Sequence, residues 1–238
     1  MKRTLAAATI AGLAVLAAAV SVPAVSAHAV SGPAHAVSGS AASRAPIRTY
    51  TQEAVASFYG IGSQRGSSGR LTESEQVILS PRLALKDLWT FSFALPIVHQ
   101  KTSGQLYVVG NRSYAKSGSG SWVTKTLSAP TLAKFRRAMD LYSVLQQFKA
   151  LPGVRRLGAT HYSLTAPASR LASFTSQEFG QAAKELARDG FKTLILNLWT
   201  DRSGRPVKIT LNSRSPIEIC SLTETFSNFN KPLRITAP

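Results

Sequence analysis

The sequence predicts an α+β fold built mainly on antiparallel sheet. Three observations predict it. Apolar residues alternate with a period of two, most clearly at Trp89, Phe91, Phe93, Leu95 and Ile97. Turn-forming runs such as Gly110-Asn111-Arg112 and Asp201-Arg202-Ser203-Gly204 separate the strand-like segments at hairpin spacing. Helical patterns interrupt the hairpins instead of alternating with single strands, which disfavours a doubly wound sheet.

Residues 1–29 have the layout of a cleavable secretory signal peptide, within the usual ~15–30 residues. Lys2 and Arg3 give the positive start, Leu5 to about Val22 the apolar stretch, and Pro23 breaks it. Ala27-His28-Ala29 offers small residues where a signal peptidase reads, and Val25-Ser26-Ala27 is an equally legal site. An uncleaved anchor is the competing reading, and the Ala-rich run and its flanks disfavour it. A bacterial lipoprotein would carry Cys just after its signal, but the only cysteine is Cys220. The expectation is a freely secreted monomer, extracellular or associated with the cell wall. A single cysteine also forbids an internal disulfide, so a hydrophobic core must hold the fold. Cys220 itself reads as a small buried strand residue, since no neighbouring His or Arg would activate it.

Residues 30–48 form an Ala/Ser/Gly-rich spacer, with AHAVSG at Ala27–Gly32 repeated at Ala34–Gly39. His28 and His35 belong to this repeat and are too few for a metal-binding tract. One domain is expected over residues 49–238. Thr49 to Phe58 reads as a short helix with Val55 and Phe58 on one side. Strands follow at Trp89 to Ile97, Leu106 to Val109, Ser113 to Lys116 and Trp122 to Leu127, with Pro96 marking an edge or exit. Thr131 to Leu151 reads as one helix, capped by Thr131, stopped by Pro152-Gly153 and about 30 Å long. Phe135, Ala138, Tyr142 and Leu145 share its apolar face, widened by Met139, Leu141 and Phe148, and Arg136 and Asp140 are an i,i+4 pair. A strand is expected at Thr160 to Leu164. Thr175-Ser176-Gln177-Glu178 reads as a capping box opening a second helix that ends near Asp189-Gly190. Phe191 to Thr200 and Pro206 to Leu211 form a hairpin, and Ile217 to Phe226 and Pro232 to Thr236 complete the strands.

The charge is strongly basic, with 28 Lys and Arg against 11 Asp and Glu, a net +17. Loss of Lys2 and Arg3 with the signal leaves +15. Such a charge favours solubility or attraction to polyanions. The basic residues are scattered, with Arg136-Arg137 and Arg155-Arg156 the densest points, so no dedicated nucleic-acid binding is expected. Catalytic patterns are missing: there is no HExxH, no paired Cys, no G-x-S-x-G elbow, no P-loop and no GxGxxG. Gly118-Ser119-Gly120 is a hairpin turn. Glu73 and Glu75 would share one face of a strand, either as a solvated face or as an acid/base pair. His161 has no acid neighbour in sequence and reads as an ordinary strand residue. A secreted hydrolase would need an acid brought to it in space. No cofactor, no catalytic residue and no metal is expected, and the chain is read as non-enzymatic.

Four stretches carry a family resemblance: Tyr107 to Lys125 (YVVGNRSYAKSGSGSWVTK), Leu157 to Leu164 (LGATHYSL), Leu196 to Ile209 (LNLWTDRSGRPVKI) and Phe226 to Pro238 (FSNFNKPLRITAP). Together they resemble the LppX/LprAFG-type lipoproteins of mycobacteria and their actinobacterial relatives, which belong with the LolA-like lipid and lipoprotein carriers. Trp199, Asp201, Gly204, Pro232 and the terminal Ala237-Pro238 occur in the family's order. The resemblance covers roughly the C-terminal 135 residues. The lipobox cysteine is absent, and the region before Trp89 matches poorly. The resemblance implies a curved antiparallel sheet, a half-barrel wrapped over helices, with an apolar cavity between the layers. It also implies a partner that is a lipid or a lipidated molecule.

The residues fit that implication. Trp89, Phe91 and Phe93 form an aromatic strand face, and Phe135, Met139, Tyr142, Leu145 and Phe148 form the helix face that would oppose it. Between them they would line a cavity or fill a core. The expected function is carriage or sensing of an acyl-chain-bearing ligand. The alternative is a basic surface protein that binds anionic wall polymers.

Overall fold

A computed structural model of the chain describes residues 46–61, 65–79, 82–95, 98–172, 186–188 and 190–238. The signal peptide, nearly all of the spacer, Pro96, Ile97 and the Thr175–Glu178 capping box lie outside these residues. Two antiparallel meanders make up the sheet. The first holds β1 (Thr49–Gly60), β2 (Ser68–Ile78), β3 (Ala84–Leu95), β4 (Val98–Val109), β5 (Arg112–Ser117) and β6 (Val123–Thr126). The second holds β7 (Arg155–Arg156), β8 (His161–Pro167), β9 (Thr193–Thr200), β10 (Pro206–Arg214) and β11 (Glu218–Ser227). Pairing of β1 with β11 joins them into one eleven-stranded sheet, ordered β6-β5-β4-β3-β2-β1-β11-β10-β9-β8-β7. The edges β6 and β7 do not meet, so the sheet is open.

The chain from β6 to β7 must travel between opposite edges of the sheet. It does so through α1 (Ala129–Ala138) and α2 (Leu141–Ala150), and a short α3 (Ala168–Ala172) follows β8. The Tyr50 hydroxyl on central β1 donates to the Met139 carbonyl at 3.1 Å, which ties the α1–α2 junction to one face of the sheet. On that face Leu71, Ala56, Leu222, Leu211, Leu196 and Leu164 lie in register across six strands and are buried. Each fully buried leucine contributes about 1.5–3 kcal/mol, so this row is a principal source of stability.

The expected sheet wrapped over helices is overturned. One open antiparallel sheet dominates; α1, α2 and α3 have 10, 10 and 5 residues, and 186–188 are helical as well. Two expected helices differ within the described residues. Thr49 to Phe58 is not a helix but the central strand. Tyr50, Gln52, Ala54, Ala56 and Phe58 are buried at period two, while Val55 points to the other face. Partners on both sides, β2 and β11, favour the strand over its Ala- and Gln-containing helical pattern.

The single helix expected over Thr131 to Leu151 is two. Ser128, not Thr131, caps α1, its Oγ accepting the Thr131 N–H at 3.3 Å. Asp140 then breaks the run. Its backbone is extended at ψ 94°, and one carboxylate oxygen accepts the N–H groups of Tyr142 at 3.1 Å and Ser143 at 3.4 Å. That cap replaces the expected Arg136–Asp140 pair. Pro232 to Thr236, expected as a strand, lies outside the sheet. The tail is tied down instead by Asn230, whose Oδ1 accepts the Arg48 N–H at 2.7 Å and whose Nδ2 donates to the Pro46 carbonyl at 3.2 Å. The hairpins expected at Gly110-Asn111 and at Asp201 to Gly204 join β4 to β5 and β9 to β10.

Candidate ligand-binding face

The helix-bearing face changes character along the strands. At one end Tyr50, Val77, Leu85 and Val108 form a buried apolar row. At the other end Trp89, Phe91 and Phe93 project from β3 at every second residue, half-buried and packed against the core. Phe58 on β1 reaches across β2 to join them, its ring centroid 6.3 Å from that of Phe91 and 5.9 Å from that of Phe93. Two glycines make this possible. The Phe58 ring lies against Gly69 and the Trp89 indole against Gly104, and a Cβ at either position would collide with the ring.

The eight residues expected to line a cavity separate into two groups. Trp89, Phe91, Phe93 and Tyr142 keep partial exposure. Phe135, Met139, Leu145 and Phe148 are buried at 6%, 1%, 0% and 0% exposure. The half-buried strip is therefore mostly on the sheet, and the helices present their apolar face to the core.

Between the apolar row and the aromatic strip lie four buried carboxyls. Glu75 on β2 pairs in register with Asp87 on β3. One row further, Trp89, Glu73, Ala54 and Glu224 align across β3, β2, β1 and β11. The solvated face considered for Glu73 and Glu75 is thus overturned: Glu73, Glu75, Asp87 and Glu224 are 6%, 0%, 1% and 3% exposed. Glu73 Oε2, both oxygens of Glu75, both of Asp87 and Oε1 of Glu224 have no hydrogen-bond partner. No described Lys, Arg or His makes an ion pair with any of the four.

Burial without a counter-charge favours the protonated form. Burial first, then the charges of Asp87, Glu75 and Glu224, push Glu73 up to about 11. Burial, Asp87 and Glu224 hold Glu75 well above the carboxylate range. Burial alone raises Glu224 to about 8. Burial raises Asp87 to about 6, against the lowering influence of the neighbouring Glu73 carboxyl. Glu73 and Asp87 are close enough that they titrate as a pair. Burial, followed by Glu75, Glu224 and Asp140, raises the Tyr50 phenol as well. Among the described residues, no group of three or more His, Cys, Asp or Glu is arranged to hold a metal ion.

The other sequence candidates resolve locally. His161 Nε2 lies 3.1 Å from Asn197 Oδ1, and its ring stacks on Trp199 at 4.5 Å. The acid that a hydrolase reading required is replaced by an amide. Cys220 is buried, and burial followed by Glu218 pushes its thiol up to about 12, as a structural cysteine would show. A groove of about 890 Å³ lies away from the expected residues, at the end of the sheet, lined by Arg48, Arg82, Leu83, Val109, Lys231 and Ile235 among others. No described helix is long and apolar enough to cross a membrane.

No family model matches the chain, and no curated protein matches it. Among solved structures it is similar to LprF from Mycobacterium bovis, at 14% identity and a TM-score of 0.44, over 81% of this chain and 90% of that one. It is also similar to the lipoprotein LppX of Mycobacterium tuberculosis, at 15% identity and a TM-score of 0.39, over 80% of this chain and 90% of that one.

Proposed function

We propose that the protein binds and carries an apolar, acyl-chain-bearing molecule on the helix-bearing face of its sheet, without chemistry on it. The half-buried aromatic strip of Trp89, Phe91 and Phe93 carries this reading. Three large rings in one line, left partly exposed, are suited to a chain lying along them. Burying the chain gains about 0.8 kcal/mol per CH₂, enough for tight binding without a catalytic group. Tyr142 on α2 is half-buried, while Phe135, Met139, Leu145 and Phe148 belong to the core. The same function is what the family resemblance of the C-terminal stretches implies. Native mass spectrometry of the purified protein, before and after organic extraction, tests it. A mass excess removed by solvent and identified as lipid is expected. A ligand-free protein that takes up no long-chain probe would refute it.

A second reading has its own observation. On the outer face of β3 to β5, Lys86, Lys101, Arg112 and Lys116 point away from the core. Between residues 76 and 139 the sole acid is Asp87, which is buried. Lys86 lies 5.9 Å from the Tyr107 ring and Lys116 5.8 Å from that of Trp122. Such a face suits an anionic wall polymer. Retention on isolated walls that falls as salt rises would support it, and salt-independent retention would count against it.

A further inference from the structure

Resting on the carrier reading, we infer that the carried molecule bears a cationic group, an amine or quaternary ammonium, held by the carboxyl cluster of Glu73, Glu75, Asp87 and Glu224. The chain has 28 basic residues, yet none of those described is placed beside these four acids. Four carboxyls from three strands converge around Ala54 and Gln52, and Glu75 leaves both oxygens without a donor at 0% exposure. A buried carboxyl lacking a partner is costly, so a cluster of this kind suits a counter-charge brought by a ligand. Position supplies the second argument. Glu73 pairs directly with Trp89, so a chain lying on the aromatic strip brings its head group to the cluster. The Trp89 ring is also the aromatic face best suited to a cation. The small Ala54 side chain separates Glu73 from Glu224 in the same row.

In the unliganded protein, protons stand in for the cation. Tyr50 on β1, whose phenol is raised by burial and then by the charges of Glu75 and Glu224, faces the cluster and is not basic. Binding then exchanges carboxyl protons for the ammonium, so protons leave to solvent and affinity rises with pH. A long-chain primary amine, alcohol and carboxylate of equal chain length are titrated into the full mature chain by calorimetry, in buffers of different protonation enthalpy. The amine is expected to bind at least about tenfold more tightly than the alcohol, with the carboxylate weakest and with proton release seen for the amine alone. E73Q/E224Q and, separately, D87N should collapse the preference for the amine. Equal affinity for all three probes would overturn the cationic head group while leaving the carrier reading standing. Binding of none would overturn both. A preference for the amine that survives both variants, or comes without proton release, would place the head group elsewhere and overturn the assignment.

Discussion

Glu75 and Asp87 face each other across the β2–β3 ladder, both buried and neither paired with a cation. A like-charged pair in that position is tolerated only while protons remain on it. This fixes the direction in which the protein responds to pH.

Stability should fall as pH rises from the acid range. The folded state holds protons that the unfolded chain has lost, from 3.8 to about 6 for Asp87 and from 4.5 to about 8 for Glu224, with Glu73 extending the window upward. The contribution is fully present below the ordinary carboxyl pKa values and is lost as pH climbs through the raised ones. Thermal melts should show Tm highest near pH 4–5 and lower by roughly 10 °C or more at pH 8. A Tm that is flat or rising over that range would contradict the protonated cluster.

E75Q should flatten this dependence. The amide has the shape of the protonated acid and cannot ionise. At pH 8 the variant should be more stable than the parent by roughly 1–3 kcal/mol, and near pH 5 the two should match within about 1 kcal/mol. Urea titrations at the two pH values measure both differences.

G69A should force the Phe58 ring off the sheet and destabilise by about 1–3 kcal/mol. Adding F58L should recover part of that loss, because the shorter side chain leaves the Cβ room. The double-mutant cycle would show a positive coupling, whereas strict additivity would mean the ring does not rest on Gly69.

D140A should cost about 0.5–2 kcal/mol by uncapping α2, with little change in the sheet signal. If circular dichroism showed a longer continuous helix instead, the break at Asp140 would be wrong.

Strands with neighbours in sequence were legible. The β4–β5 and β9–β10 hairpins follow from alternating residues around short polar turns, which are local signals. The central strand β1 was not legible, because its partners β2 and β11 decide its state and Ser227 lies far along the chain from Thr51. In the sequence Asp140 has the spacing of a helix-face charge. Asp at an i,i+4 distance from Arg is indistinguishable in sequence from Asp at a cap within one apolar stripe.

The acid cluster was half visible. Glu73 and Glu75 have the same two-residue phase as Leu71 and Val77, Asp87 that of Leu85 and Trp89, and Glu224 that of Leu222 and Phe226. Phase alone placed all four on the apolar face. Residue type argued the other way, since acids on strands are usually solvated. Their convergence from β2, β3 and β11 required the sheet order, which no local pattern contains.

The aromatic strip should separate binding from stability. F93A, at a half-buried position, should lower affinity for a long-chain probe by about tenfold while costing less stability than F148A, for which truncation of a fully buried ring costs about 3–5 kcal/mol. Paired denaturation and binding titrations on the two variants check the split.

The most direct test of the carrier account is fluorescence quenching of Trp89. In a W122F/W199F background Trp89 is the remaining tryptophan. An acyl chain brominated along its length, added to delipidated protein, should quench that emission saturably, and an unbrominated chain of equal length should compete the quenching away. Emission from Trp89 left unchanged by a brominated chain that demonstrably binds would contradict the placement of the ligand on this face.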